Sequence, residues 1–293
     1  MNKLDISIGI LTWKRLDILR QTLESYRKNG LLNLSDDITI FFQEIGEEEI
    51  ALAKEFNLKW IGDKTNIGIQ NAYRALVKNA KNKFFLFLEN DWFLIENEEI
   101  TRKRILAGIS ILENAHANAV RYRHRRSPGY PCSIVSKNRK APHKTPKNDL
   151  SFVPSITENP EVLFKEISKS KIDNENYYFV PAQNTYWTNN PCLFKTSFVR
   201  ELINIDFKNS KGEKINKKYK IPYKKISLEE DLGNYWRNTN YITALTPGLF
   251  THLDYIDDFK QRRKYPELLL RFICCFISDS KTRKKLRARY SRI

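Results

Sequence analysis

Over the first hundred residues, short apolar runs alternate with segments whose apolar positions recur every three or four residues. Phe84-Phe85-Leu86-Phe87-Leu88 is the clearest run: five apolar residues bounded by polar ones, the pattern of a strand buried on both faces. Residues 6–11, 38–42 and 58–61 predict three earlier strands. Between them, Leu16, Leu19, Leu23 and Tyr26 keep helical spacing, with Gly30 placed to cap the helix. Residues 47–56 predict a second helix, and Ala72, Ala75, Leu76 and Ala80 mark one side of a third. Strands alternating with helices predict an α/β fold, a mostly parallel, Rossmann-like nucleotide-binding sheet with flanking helices. A fourth helix is expected over 101–116, with Ile105, Ile109 and Leu112 inward, and residues 120–124 alternate with period two.

From Ser127 to about Pro160 the chain is rich in Pro, Lys, Ser and Asn, which predicts a long irregular insertion. No repeat or linker divides the chain. We expect one domain over 1–265, with a nucleotide-binding half (1–118) and a variable half carrying the basic insertion (119–265). A C-terminal apolar helix and basic tail follow (266–293).

The apolar run at 84–88 leads straight into Glu89-Asn90-Asp91-Trp92. Ligands of open α/β sheets sit beyond the carboxyl ends of the strands. Two carboxylates two residues apart at such an end can aim at one cation. Hard oxygen ligands suit Mg²⁺ or Mn²⁺, which usually bind substrate phosphates through one or two carboxylates. Ordinary turn chemistry explains an Asn-Asp pair equally well, so this cluster needs support from the rest of the chain.

Composition narrows the field. With 41% hydrophobic and 12% aromatic residues, the chain can bury a core, which excludes general disorder. The net charge of +17 is concentrated in three segments. Residues 120–148 carry nine Lys/Arg and no acid, 208–225 eight Lys and one Glu, and 281–293 seven Lys/Arg and no acid. The remainder is net acidic. Such segments point to an anionic partner (nucleic acid, a membrane surface or a phosphorylated substrate) or are solvated loops. The basic residues avoid the sheet end and no nucleic-acid-binding motif is present, which disfavours nucleic acid.

Four cysteines (Cys132, Cys192, Cys274 and Cys275) lack metal-ligand spacing and fit a reduced, cytoplasmic setting. Met1-Asn2-Lys3 leads into a strand without a signal peptide. The ten-residue apolar stretch from Leu268 to Ile277 is interrupted by Arg271 and is too short to span a bilayer, which takes about 20 residues. Followed by the basic tail, it is either a peripheral membrane anchor or a helix packed on the domain.

Taken together, the motifs resemble a GT-A-type glycosyltransferase, close to glycosyltransferase family 2. Ile8-Gly9-Ile10-Leu11-Thr12-Trp13-Lys14-Arg15 is similar to that family's opening strand and turn, and Asn66-Ile67-Gly68-Ile69-Gln70-Asn71-Ala72 to its Asn-x-Gly-x-x-x-Ala element. Glu89-Asn90-Asp91 stands where the family carries a metal-binding Asp-x-Asp, with Glu89 replacing the first Asp. Leu228-Glu229-Glu230-Asp231-Leu232 resembles its Glu-Asp motif before a helix, and His252 its C-terminal metal histidine.

The resemblance implies transfer of a sugar from a nucleoside diphosphate sugar, UDP favoured, to an acceptor hydroxyl, with Mn²⁺ or Mg²⁺ as cofactor and inversion at the sugar. It implies Asp91, Glu89 and His252 as metal ligands, Asp231 as general base and Glu230 as its alternate. Thr12, Trp13, Arg15, Gln43, Glu44, Asn66, Gly68, Asn71 and Asn90 fall on the nucleotide-sugar side. Trp13 either stacks on the base or packs in the core. Asn66 and Asn71 either meet phosphate or hold their own turn together. Trp187, Asn189 and Asn190, aromatic and amide groups suited to a sugar, are candidates for the acceptor side. The acceptor is a glycan, a lipid-linked molecule or a protein, and the basic segments suit an anionic one. A nucleic-acid-binding protein, and a nucleotidyltransferase on a similar sheet, are the rival readings.

Overall fold

The structure is a computed structural model that describes residues 2–126, 149–151, 153–155, 157–204 and 228–252. Most of the basic insertion, the Lys-rich segment, Asp254, the C-terminal helix and tail, and Cys132, Cys274 and Cys275 lie outside the described residues.

The first half follows the alternation read from the sequence. Strand β1 (Ile6–Trp13) leads to α1 (Leu16–Lys28), β2 (Asp37–Gln43) to α2 (Glu47–Glu55), and β3 (Lys59–Asp63) to α3 (Ile69–Asn79). Strand β4 (Phe84–Glu89) turns back into a short β5 (Trp92–Leu94), then α4 (Glu98–Glu113) and β6 (Ala119–Arg123). The second half adds β7 (Ser168–Ile172), β8 (Glu175–Pro181), β9 (Cys192–Lys195), α5 (Thr196–Asn204), α6 (Leu228–Arg237) and β10 (Ile242–His252).

One ten-stranded sheet contains all the strands, in the order β3-β2-β1-β4-β9-β6-β10-β8-β7, with β5 on β10. The block β3-β2-β1-β4 is parallel throughout. Beyond it the sheet is mixed: β9 runs antiparallel to both β4 and β6, β10 is parallel to β6, and β8 and β7 are antiparallel additions. Because β9 opposes both its neighbours, β6 points the same way as β4, and β10 points with it. The carboxyl ends of β1, β4, β6 and β10 therefore share one edge of the sheet.

Strand parity explains the unbroken apolar run. Successive side chains alternate faces, so Phe84, Leu86 and Leu88 enter the core under α1, α2 and α4 with Leu19, Leu23, Tyr26 and Ile105. Phe85 and Phe87 enter the opposite core with Tyr73 and Leu76 of α3, Leu202 of α5 and Trp236 of α6. Both faces are covered, so neither set of positions can be polar.

Candidate functional site

The site is built where β1 and β4 end. Lys14 and Arg15 both adopt left-handed backbone (φ 53° and 57°), which for side-chain-bearing residues costs on the order of 1 kcal/mol each. This reversal starts α1 immediately after the strand and carries the Arg15 guanidinium to Asp91, with Nη1 3.2 Å from Oδ2. The β4 turn is pinned from two sides: the Asn90 N–H donates to the Leu11 carbonyl (3.1 Å) and the Thr22 hydroxyl donates to the Asn90 carbonyl (2.7 Å). The last residue of β10, His252, pairs with Trp92 across the β10–β5 ladder. Its Nε2 lies 3.3 Å from Asp91 Oδ2 and its ring sits edge-on to Trp92 at 5.3 Å. The fold thus brings Arg15, Asp91 and His252 together from three distant parts of the chain.

The two carboxylates are shifted in opposite directions. Burial alone would raise Asp91, but the His252 hydrogen bond and the Arg15 charge outweigh it and hold the carboxyl below its usual range. Burial pushes Glu89 well above the usual carboxylate range, and the charges of Asp91 and Glu229 add to this. The Asn189 amide, 3.4 Å from Glu89 Oε1, opposes the rise only weakly. Asp91 uses Oδ2 for both of its partners, while Oδ1 is buried with no hydrogen-bond partner.

An orphaned carboxylate oxygen beside a second carboxyl and an imidazole fits a hard divalent cation. Among the described residues, no three His, Cys, Asp or Glu side chains form a group able to hold a metal by themselves. One or two carboxylates completed by substrate phosphates is the usual arrangement for Mg²⁺, so Asp91, through its unpartnered Oδ1, fits such an ion once a diphosphate is present.

The nucleotide-side candidates divide in two. Trp13 is half exposed at the end of β1, with Lys14 Nζ 5.5 Å over its ring, so its face is not used by the core. Glu44, also left-handed (φ 58°), pairs with Lys14 at 3.0 Å, and that bond, with a hydrogen bond from Trp13, lowers its carboxyl. The other group is structural in its visible contacts. Thr12 is buried and donates to the Lys14 carbonyl at 3.4 Å. Gln43, expected to meet a base, is buried, and its Oε1 accepts the Ile67 N–H at 2.9 Å, tying the α3 loop to β2. Asn66 accepts the Gly68 N–H and Asn71 donates to the Ile67 carbonyl, both at 2.9 Å, so the amides hold their own turn. Gly68, at φ 82°, occupies a backbone region that side chains disfavour and opens α3. Asn90 is buried with its amide nitrogen unpartnered.

On the acceptor side, the Asn189 N–H donates to Glu229 Oε1 (2.8 Å) at the start of α6, and the Asn190 amide donates to the Thr188 hydroxyl (2.5 Å). Trp187 departs from the sequence expectation. It is buried, stacked on Phe194 at 5.4 Å and edge-on to Trp236 at 5.3 Å, because β9 and α6 close over it. Glu230 and Asp231 lie in the first turn of α6, while their side chains lie outside the described residues.

Two residues were missed by sequence reasoning. Glu229 could have been found as the first acid of its triplet. Arg123, 5.4 Å from the Trp92 ring, carried only the period-two alternation of β6 as a signal.

No protein-family model matches this chain, and no curated protein matches it in sequence. Solved structures similar to this chain include the following three. One is TarS 1–349 from S. aureus, at 14% identity and TM-score 0.49, over 98% of this chain and 71% of that one. The same S. aureus protein in complex with UDP gives 12% identity and TM-score 0.45, again over 98% and 71%. The mannosyltransferase PcManGT from Pyrobaculum calidifontis, in complex with GDP-Man and Mn²⁺, gives 8% identity and TM-score 0.48 over 99% of this chain and 70% of that one.

Proposed function

We propose that this protein is a glycosyltransferase that moves a sugar from a nucleoside diphosphate donor, UDP-linked by preference, to an acceptor hydroxyl, with a divalent cation and inversion at the sugar. One observation carries the reading: at the carboxyl edge of a parallel block, Asp91 meets Arg15 and His252 through one oxygen and keeps the other buried and unpartnered. In this reading Asp91 and His252 hold Mn²⁺ or Mg²⁺, with Glu89 as a further ligand. The ion would supply charge neutralisation for the departing diphosphate.

The chain's own groups do the remainder. Arg15 adds fixed positive charge beside the diphosphate. Trp13 offers an exposed ring face to the base, and Glu44 lies beside it. The first turn of α3 presents backbone N–H groups suited to phosphate. Asp231, with Glu230 as the alternate, takes the proton from the attacking hydroxyl. Glu229, two residues earlier on the same helix and coupled electrostatically to Glu89, adds negative charge near that base. Neighbouring carboxylates raise one another's pKa, which suits proton abstraction near neutral pH.

Asn189 and Asn190 border the acceptor, which is a glycan, a lipid-linked molecule or a protein. No helix among the described residues is long and apolar enough to cross a membrane. The apolar-then-basic sequence of 268–292 suits reversible attachment to an anionic membrane surface from the cytoplasmic side.

Calorimetric titration with UDP, with and without Mn²⁺ and with GDP as control, tests the proposal. We expect UDP binding that requires the metal and disappears in Asp91→Ala. Failure of every nucleoside diphosphate to bind would overturn it.

A further inference from the structure

Arg121, Arg123 and Arg125 alternate along β6 and its exit, and alternate residues of a strand share one face. All three line one small cavity with Ser151, Ser155 and Asn190. Its volume is about 30 Å³; a single water needs about 10–15 Å³ on this scale, so the cavity takes a small group.

Among the described residues, no carboxylate lines this cavity. Arg121 is only 7% exposed. Its guanidinium donates to the Tyr186 carbonyl, and among the described residues no carboxylate pairs with it. Arg125 meets one carboxylate, Glu158, at 3.5 Å, and that side chain is 61% exposed. The Nε of Arg125 and the hydroxyl of Ser151 are both buried without hydrogen-bond partners. Guanidinium groups withdrawn from water without a counter-anion cost several kcal/mol, and unpaired buried donors add to that cost.

The neighbouring larger cavity, of about 590 Å³, shares Arg125 but has the opposite character. There Glu96, Glu158 and Glu175 face Arg104, Arg125 and Arg126, and Arg104 is fully engaged by Glu96, Glu175 and the Gly248 carbonyl. Of these two cavities, the smaller is lined by three arginines and no described carboxylate.

Its position connects it to the reacting centre. The Arg123 guanidinium lies 5.4 Å from the Trp92 ring, which packs against His252, the partner of Asp91. Arg123 Nη1 is also 3.5 Å from Asn190 Oδ1, and the adjacent Asn189 reaches Glu89. The cavity therefore lies on the acceptor side, away from the nucleotide end at β1 to β3.

We infer that the Arg121–Arg123–Arg125 cavity binds a phosphate group carried by the acceptor. The Arg121 and Arg125 guanidinium groups, with the positive charge of Arg123 beside them and two hydroxyls, match the several oxygens and the double charge of phosphate, whereas a carboxylate is satisfied by one fork. The link to an acceptor rests on the glycosyltransferase reading; the phosphate site does not.

Inorganic phosphate is the probe, titrated calorimetrically into the full chain with saturating UDP and Mn²⁺, so that the donor site is filled, and at constant ionic strength set with chloride. Phosphate is expected to bind, and Arg121→Gln and Arg125→Gln are each expected to weaken it at least tenfold with UDP affinity unchanged within twofold. Undiminished phosphate binding in both variants, or acetate binding as tightly as phosphate, would overturn the assignment. Arg125 stands nearer the surface, so its variant decides the matter if Arg121→Gln does not fold. If UDP itself fails to bind, the glycosyltransferase reading falls, and the same variants titrated without nucleotide still decide the cavity.

Discussion

In the proposed reaction Asp91 is the side chain that meets the cation. Its Oδ2 is committed to Arg15 and His252, which keep the carboxyl ionised, and its Oδ1 is left buried and unpaired. Across the site Glu89 is pushed toward its neutral form by burial and by its acidic neighbours. The acids of the α6 turn have a different task in the proposed reaction. Asp231→Asn is expected to lower kcat at least about 100-fold, the usual contribution of a general base, with little change in donor KM. Glu229→Gln is expected to change kcat by less than about tenfold; the reverse order in steady-state assays would move the base to Glu229.

Away from the chemistry, Asp37 is the carboxylate with the densest local support. It accepts from the Ser7 hydroxyl (2.6 Å), the Lys81 N–H (2.9 Å) and Lys59 Nζ (3.0 Å) at the opposite end of β1 and β2. Asp37→Ala leaves those donors without their acceptor and is expected to cost about 2–4 kcal/mol, read from the urea midpoint. A loss below about 0.5 kcal/mol would show that water replaces the carboxylate.

At the scale of elements, the decisive device is the irregularity of β10. Its pairing with β6 shifts register between Leu245 and Phe250. Within that shift Gly248 sits at φ +92°, and a Cβ there would lie 2.2 Å from His124 Cα and 2.4 Å from the Arg123 carbonyl oxygen. Both are backbone atoms that cannot swing away. The shift brings the Gly248 carbonyl to Arg104 Nη1 (2.6 Å) and lets the strand continue to His252 beside Asp91. Gly248→Ala is therefore expected to cost more than about 2 kcal/mol. It should also weaken UDP–Mn²⁺ binding, because His252 depends on the same strand. Calorimetry checks both; wild-type values in each would mean that β10 adapts without effect on the site.

For the whole molecule, pH acts through groups of opposite sign: acid removes the stability held by Asp37, Glu96 and His124, whereas Glu89, raised on folding by burial and its acidic neighbours, gains stability as the pH falls. Burial would raise Asp37 and Glu96, but hydrogen bonds, from Ser7, Lys81 and Lys59 to the one and from Arg104 and His124 to the other, outweigh it and lower both carboxyls. Groups lowered on folding contribute stability above their unfolded pKa, about 4, and lose it as the pH falls through the folded value. His124 adds to the same trend. Burial lowers it, with the Arg104 and Arg126 charges helping and Glu96 opposing. Its neutral ring donates through Nε2 to Glu96 at 2.8 Å. The unfolded chain takes up a proton at His124 below about pH 6.5, before the folded chain does, so stability falls there as well. Thermal midpoints are expected to decline steeply below pH 4, while between pH 7 and 5 the loss at His124 and the gain at Glu89 oppose each other. His124→Gln should raise the midpoint at pH 5 relative to pH 7 when compared with the wild type, and an unchanged difference between the two pH values would contradict this role for His124.

Much of this architecture was legible in the chain. The run at 84–88 could only be a strand covered on both faces, and the alternation before it, together with the turn residues at 66–68, determined the parallel block and where its carboxyl edge lies. The acidic pair at the end of β4 followed from the same logic. Local pattern failed where partners are distant. Of the later strands, β9 and β10 are placed by distant neighbours: β9 pairs with β4 more than a hundred residues earlier and with β6 about 70 residues earlier, and β10 pairs with β6 more than a hundred residues earlier. Trp187 reads as a surface aromatic in a polar turn and becomes core only because Phe194 and Trp236 close on it. Gln43 reads as a base contact and is consumed by the α3 loop. The sequence by itself determined the alternation of strands and helices in the first half and which residues stand at its strand ends, because periodicity and turn propensity act over a few residues. Only the tertiary structure decided which of those residues meet, because the contacts among Arg15, Asp91 and His252, and the row of arginines facing Asn190, exist only once non-local strand pairing has brought their strand ends to one edge.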